Sequence, residues 1–150
     1  MKVLLVCSSG GHLTHLWKLK PFWEKHDRYW VTFAKQDAKS LLKNERWEGC
    51  YFPTNKSIKA LLINTKIMWN VLKKEKTDLI ISSGAAIAVP AFFLGKLFFH
   101  TKNIYVEVYD RIDYGTMSGK LVKPVTDKYV VQWEEMKNVY PNSVNLGSIF

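Results

Sequence analysis

The chain opens on a continuous apolar run, KVLLVC (2–7), the pattern of a central parallel strand covered on both faces. A helix is expected from about Leu13, stopped or kinked near Pro21. RYWVTFA (28–34) reads as the second strand, AKSLLKN (38–44) as a helical turn or two, and GCYFP (49–53) as a short third strand closed by Pro53. The clearest periodicity spans 57–76, where Ile58, Leu61, Leu62, Thr65, Met68, Trp69 and Leu72 recur at i, i+3, i+4, i+7 spacing. That spacing predicts one apolar helix face, with Lys59, Lys66, Lys73, Lys74 and Lys76 over the remainder and Ser57 as N-cap. DLIIS (78–82) predicts a fourth strand, 86–99 a helix carrying Pro90 near its first turn, and NIYVEVY (103–109) a fifth strand. GKLVKPVTD (119–127) reads as a short helix and KYVVQW (128–133) as a sixth strand. This alternation, without internal repeat or linker, predicts a single α/β domain over 1–150, a Rossmann-like parallel sheet with right-handed crossovers.

Composition narrows the partners. With 150 residues, 47% of them hydrophobic, the chain can bury one real core. Its 22 Lys+Arg against 13 Asp+Glu give a formal charge of +9, which favours an anionic partner. Nucleic acid is not expected, because the basic residues are spread over several elements and no recognised binding motif appears. Lysines beside Trp17, Phe22, Trp23, Phe92, Phe93, Phe98 and Phe99 instead favour an anionic membrane surface. The most apolar segment, 84–99, is interrupted by Pro90 and Lys96 and falls short of the roughly 20 residues that span a bilayer. The first strand begins at Lys2, so no signal peptide is expected. Cys7 and Cys50 match no metal spacing and read as buried, reduced thiols; neither metal nor cofactor is expected. His15 and His26 read as packing or surface residues.

Three stretches carry candidate chemistry. CSSGGH (7–12) sits at the first strand-to-helix turn, where ligands of open α/β sheets bind. Gly10 and Gly11 remove the Cβ atoms that keep a phosphate from the backbone, and Ser9 and His12 can hydrogen-bond to it. The same glycines also suit a plain tight turn. SSGAAIAVP (82–90) repeats the arrangement after the fourth strand around Gly84, as a second ligand loop or as close helix–sheet packing. YVEVYDRIDYGTMSGKL (105–121) puts Glu107 near a strand end, with Asp110, Arg111 and Asp113 beyond it. Glu107 can act as a general base, orient a sugar hydroxyl, or pair internally with Arg111; Arg111 can pair with a phosphate.

Taken in order, SSGGHLTHL, DLIISSGAAIAVP, YVEVYDRIDYGTMSGKLV and DKYVVQWEEMKNVYPNSVNLGSIF resemble the membrane-associated subunit of the two-part UDP-GlcNAc transferase of dolichol-linked N-glycan assembly. The resemblance is closer to its bacterial relatives, short capsular or exopolysaccharide biosynthesis proteins that work beside a separate glycosyltransferase subunit. It implies the N-terminal half of a GT-B glycosyltransferase. In that arrangement this chain holds a lipid-diphosphate-linked sugar acceptor on the cytoplasmic, inner face of the plasma membrane, while a second polypeptide binds the UDP-sugar. It implies acceptor contacts from Ser9, Gly10, Gly11, His12, Gly84, Arg111, Ser118 and Gly119, with His12 or Glu107 as the base of an inverting transfer, Glu107 being preferred because burial in a crevice raises a carboxylate's pKa. Leu146, Gly147, Ile149 and Phe150 would meet the donor-binding partner. Eukaryotic members carry an N-terminal transmembrane helix with no counterpart here, so attachment is expected to be peripheral or through a partner. The family often has a small polar residue where Val108 stands. Two other readings stay open: a scaffold for a complete glycosyltransferase, and a stand-alone nucleotide-binding domain. Against the last, Ala34 and Lys35, rather than an acidic ribose-binding residue, end the second strand.

Overall fold

The computed structural model describes residues 1–52 and 57–147. Seven strands form one sheet: β1 (Lys2–Val6), β2 (Asp27–Phe33), β3 (Trp47–Cys50), β4 (Leu79–Ser82), β5 (Lys102–Val106), β6 (Lys128–Val131) and β7 (Val144–Asn145). Their order is β3-β2-β1-β4-β5-β6-β7, and every pair is parallel. The order reverses between β1 and β4, which pair from Val3 opposite Leu79 to Val6 opposite Ser82. Adjacent outgoing crossovers diverge there and leave a crevice at the carboxyl ends of the strands. The Rossmann-like α/β class expected from the alternation is therefore the observed one.

Helices α1 (Gly11–Trp17), α2 (Lys20–Trp23) and α3 (Gln36–Leu41) cover one face of the sheet, over Leu5, Leu16, Trp23 and Trp30. Helices α4 (Ile58–Glu75), α5 (Ala88–Phe98) and α6 (Met117–Leu121) cover the other, over Leu4, Ile80, Phe92 and Tyr105. Cys7 and Cys50 are buried free thiols, as expected. Pro21 enters near the start of α2 instead of terminating a longer helix, since a first-turn N–H needs no partner. The third strand lies upstream of its expected 49–53, and Pro53 falls outside the described residues. β7 had no counterpart in the sequence reading; it is two residues long, too short to show alternation.

The largest correction concerns α4. Ser57 caps it as expected, its Oγ accepting from Ala60 N–H at 3.1 Å. Its core-facing residues, however, are Ala60, Asn64, Met68, Val71 and Leu72, while Ile58, Leu61, Leu62 and Trp69 are exposed. Asn64 explains the rotation. Its amide accepts from Tyr51 N–H at 2.7 Å and donates to Tyr51 C=O at 3.0 Å, satisfying backbone that has just left β3. A polar residue that serves buried backbone turns inward and carries the apolar stripe out.

Candidate functional site

The two glycine loops follow β1 and β4, the strands flanking the order reversal, so the fold brings them side by side. Gly10, at φ 78, turns the chain into α1. Its N–H donates to the Asp37 carboxylate at 2.6 Å. Gly84, at φ +121, turns the chain after β4; a Cβ there would stand 2.6 Å from the Tyr105 hydroxyl and 3.1 Å from His12 Cε1. Ala85 follows at φ 78, a left-handed conformation unusual for alanine.

His12 and Ser83 tie the loops together reciprocally. Ser83 Oγ donates to the His12 carbonyl at 2.6 Å, and His12 Nδ1 lies 2.7 Å from the Ser83 carbonyl oxygen. A carbonyl only accepts, so Nδ1 carries the proton, and in the neutral ring the Nε2 lone pair is left for another partner. His12 lines both cavities of the crevice. The smaller, about 290 Å³, is also lined by Gly11, His15, Tyr109 and Asp110. The larger, about 490 Å³, has a mixed lining: apolar Phe33, Ala85, Val89, Met117 and Leu121 on one hand, polar Ser8, Thr116 and Ser118 on the other.

Arg111 also lines both cavities. Its guanidinium stacks 4.7 Å from the Tyr114 ring centroid, and its buried Nε has no hydrogen-bond partner. Among the described residues no carboxylate forms an ion pair with it, so the internal Glu107–Arg111 pair does not form. A cation held this way beside a crevice is suited to an anion.

Glu107 lies elsewhere. It is 1% exposed, and its Oε2 accepts from Thr116 N–H at 3.1 Å, Thr116 Oγ1 at 3.2 Å and Tyr140 OH at 2.9 Å. Gln132 Nε2 donates to its carbonyl at 3.1 Å. The expectation that this carboxylate faces the crevice is not met: it sits beneath the 108–116 loop and fixes that loop's far end. Burial and then the nearby Glu107 charge push the Tyr140 and Tyr105 hydroxyls well above the usual tyrosine range. The Tyr105 hydroxyl bonds Thr116 Oγ1 and Ser118 Oγ at 2.7 and 2.9 Å. Gly119 serves this packing; a Cβ there would meet Thr116 Oγ1 at 2.9 Å and Glu107 Oε2 at 3.0 Å.

Sequence reasoning missed His15 as a site residue. It is 5% exposed, with Nδ1 2.7 Å from Gly11 C=O and Nε2 accepting Tyr109 N–H at 2.9 Å, so it bridges the first glycine loop to the Arg111 loop. Burial lowers its pKa below the usual histidine range. Its i+4 spacing from Gly11 was the available signal. Asp37 and Tyr140 are distant in sequence from the loops they touch and left no such signal. Leu146 and Gly147 follow β7 at the sheet edge, with Leu146 exposed; Ile149 and Phe150 lie outside the described residues. Among the described residues no three His, Cys, Asp or Glu side chains are placed to hold a metal, and no helix is long and apolar enough to cross a membrane.

The fold is shared with larger enzymes. Acinetobacter baumannii MurG aligns with a TM-score of 0.73 at 13% identity, over 90% of this chain and 43% of that one. Neisseria meningitidis UDP-GlcNAc 2-epimerase bound to UDP-GlcNAc aligns at 0.76 and 12%, over 99% and 47%. This chain thus spans less than half of each, and the likeness shows the fold alone: one GT-B-like half. In sequence, the family profile described as "Oligosaccharide biosynthesis protein Alg14 like" matches residues 48–149. The human UDP-N-acetylglucosamine transferase subunit ALG14 is 37% identical over 180 aligned residues, covering 99% of this chain and 83% of the human protein. The Candida albicans subunit is 26% identical over 159, covering 91% and 72%. The profile match takes in the larger part of the chain and the human relative aligns along nearly all of it: the chain belongs to the Alg14-like family of oligosaccharide biosynthesis proteins.

Proposed function

We propose that this chain is the acceptor-binding subunit of a two-part UDP-sugar transferase, completed by a separate donor-binding polypeptide. The observation that carries the reading is His12, locked through Nδ1 to Ser83 and lining a crevice that it shares with Arg111, which pairs with no carboxylate among the described residues. The acceptor is a sugar linked through a diphosphate to a lipid. Arg111, Ser9, Gly10, Gly11 and Ser118 hold the diphosphate, and the apolar part of the larger cavity, at Phe33, Val89, Met117 and Leu121, takes the first part of the lipid chain. Gly84 leaves the space in which the His12 ring stands.

In the transfer, His12 Nε2 takes the proton of the acceptor hydroxyl as its oxygen attacks the anomeric carbon of the UDP-sugar. The new glycosidic bond forms as the bond to the UDP oxygen breaks, with inversion, and UDP carries away the electron pair. Glu107 acts as a positioning residue for the Arg111 loop. The exposed Leu146, at the sheet edge after β7, meets the donor-binding partner. The work takes place at an anionic membrane surface, peripherally, on the cytoplasmic side. The finer assignment, to a bacterial capsular or exopolysaccharide repeat unit, rests on the motif resemblance alone, since the relatives named above are a mammal and a yeast.

A transfer assay tests the reading, with a lipid-diphosphate-linked sugar, a panel of UDP-sugars, and a donor-binding glycosyltransferase subunit assayed with and without this chain. Product that requires both chains is expected. A partner fully active alone assigns this chain a scaffold role and overturns the acceptor-site reading.

A further inference from the structure

The site leaves one surface unexplained. Along α4, Ile58, Leu61, Leu62 and Trp69 form an exposed stripe, with Ile58 at 76% and Leu62 at 66% exposure. At 3.6 residues per turn this stripe lies beside the core-facing residues, and Lys59, Lys66 and Lys73 form a row along its outer side. The Trp69 ring packs 5.5 Å from Phe98 and 5.0 Å from Phe99, so the apolar surface continues onto the end of α5, where Phe98 is 59% exposed. Glu75 is the one acidic residue of α4, and it turns to Arg46 at 2.7 Å. Nothing acidic on the helix relieves the lysine row.

We infer that this α4–α5 face docks on an anionic lipid surface. The apolar stripe enters the boundary between head groups and acyl chains, and the lysines extend along its side to the phosphates. Charge selects this occupant over a second copy of the chain, whose own lysine row would be brought against the first. Placement supports it too. α4 runs antiparallel to the strands, so Ile58–Leu62 lie at the carboxyl edge of the sheet, the edge on which the crevice opens. Docking along α4 sets the crevice against the bilayer. The inference names the face behind the peripheral membrane placement proposed above; the purpose of that placement rests on the acceptor reading.

Flotation of the full chain with phosphatidylcholine vesicles, with and without phosphatidylglycerol, tests the inference. Binding is expected on the anionic vesicles only, weakening as salt rises. Lys59→Gln, Lys66→Gln and Lys73→Gln together should weaken it on the order of 100-fold. Ile58→Ser with Leu62→Ser should weaken it about tenfold or more. Lys39→Gln, exposed on α3 across the sheet from α4, should leave it unchanged. These side chains are exposed, so circular dichroism should show folded variants. Absence of flotation at low salt, or flotation indifferent to both sets, overturns the proposal. A dimer in sedimentation that the Ile58/Leu62 variant dissolves, without vesicle binding, reassigns the face to a second copy. A short-chain soluble acceptor separates the two readings. Patch variants should turn it over at the normal rate with the partner, whereas failure of the acceptor reading abolishes that turnover and leaves flotation intact.

Discussion

His12 and Glu107 both follow the carboxyl end of a buried parallel strand, β1 for one and β5 for the other, and each is able to take a proton. The folded molecule treats them oppositely. His12 uses one ring nitrogen to hold Ser83, leaves the other uncommitted, and lines two cavities. Glu107 commits its Oε2 to Thr116 and Tyr140 and is closed off from solvent. A carboxylate saturated by internal donors has little capacity left for a substrate proton, whereas a half-used imidazole has a free lone pair. Position in sequence nominates a base; the count of unspent hydrogen-bonding capacity chooses between nominees.

The largest expected effect separates the two directly. His12→Ala should cost about 10²–10⁴-fold in turnover of the two-chain enzyme, with only about 1 kcal/mol of stability lost with the bond to Ser83. Equal stability loss in both variants would erase the contrast. Glu107→Ala should instead cost roughly 3 kcal/mol of stability, because buried donors on Thr116 and Tyr140 lose their acceptor; denaturant unfolding reads this. Gly84→Ala touches both sides, pressing a Cβ on Tyr105 and His12 at a left-handed φ. About 1–3 kcal/mol of strain, together with a displaced base, is expected from melting and turnover measured on the same sample.

A pH series sharpens the picture through His15. Its pKa is lowered by burial, so the unfolded chain binds a proton more readily than the folded one. Stability is therefore full above the ordinary histidine range and falls as pH drops through that range toward the lowered value. His15→Gln should flatten this part of the melting-temperature profile. The smallest effect is expected for Tyr140→Phe, about 1 kcal/mol by denaturant unfolding with turnover preserved.

The strands and the two glycine loops were legible because their signals are local: apolar runs of strand length, and glycines where a left-handed φ is required. The convergence of the loops followed from alternation, since a parallel sheet built by crossovers puts strand ends on one edge. The orientation of α4 was not legible. Its strongest periodicity, through Ile58, Leu62 and Trp69, marks a surface, while Asn64 faces the core to serve the backbone of Tyr51. Hydrophobic spacing measures which residues share a face and is silent on whether protein or something else covers it. Glu107 was misplaced for a related reason: its partner Tyr140 lies 33 residues away, and nothing in the local sequence announces that bond.

The contact between Gly10 and Asp37 also bears on how an anion is held at the first loop. The Gly10 N–H already donates to a carboxylate oxygen supplied by α3, so the fold itself sets the loop's curvature. An anionic oxygen arriving there exchanges one charged acceptor for another, and the free energy gained is the difference between them. On the function proposed above, the loop is stiff but undemanding, and discrimination among anionic ligands passes to Arg111, whose guanidinium pairs with no carboxylate among the described residues.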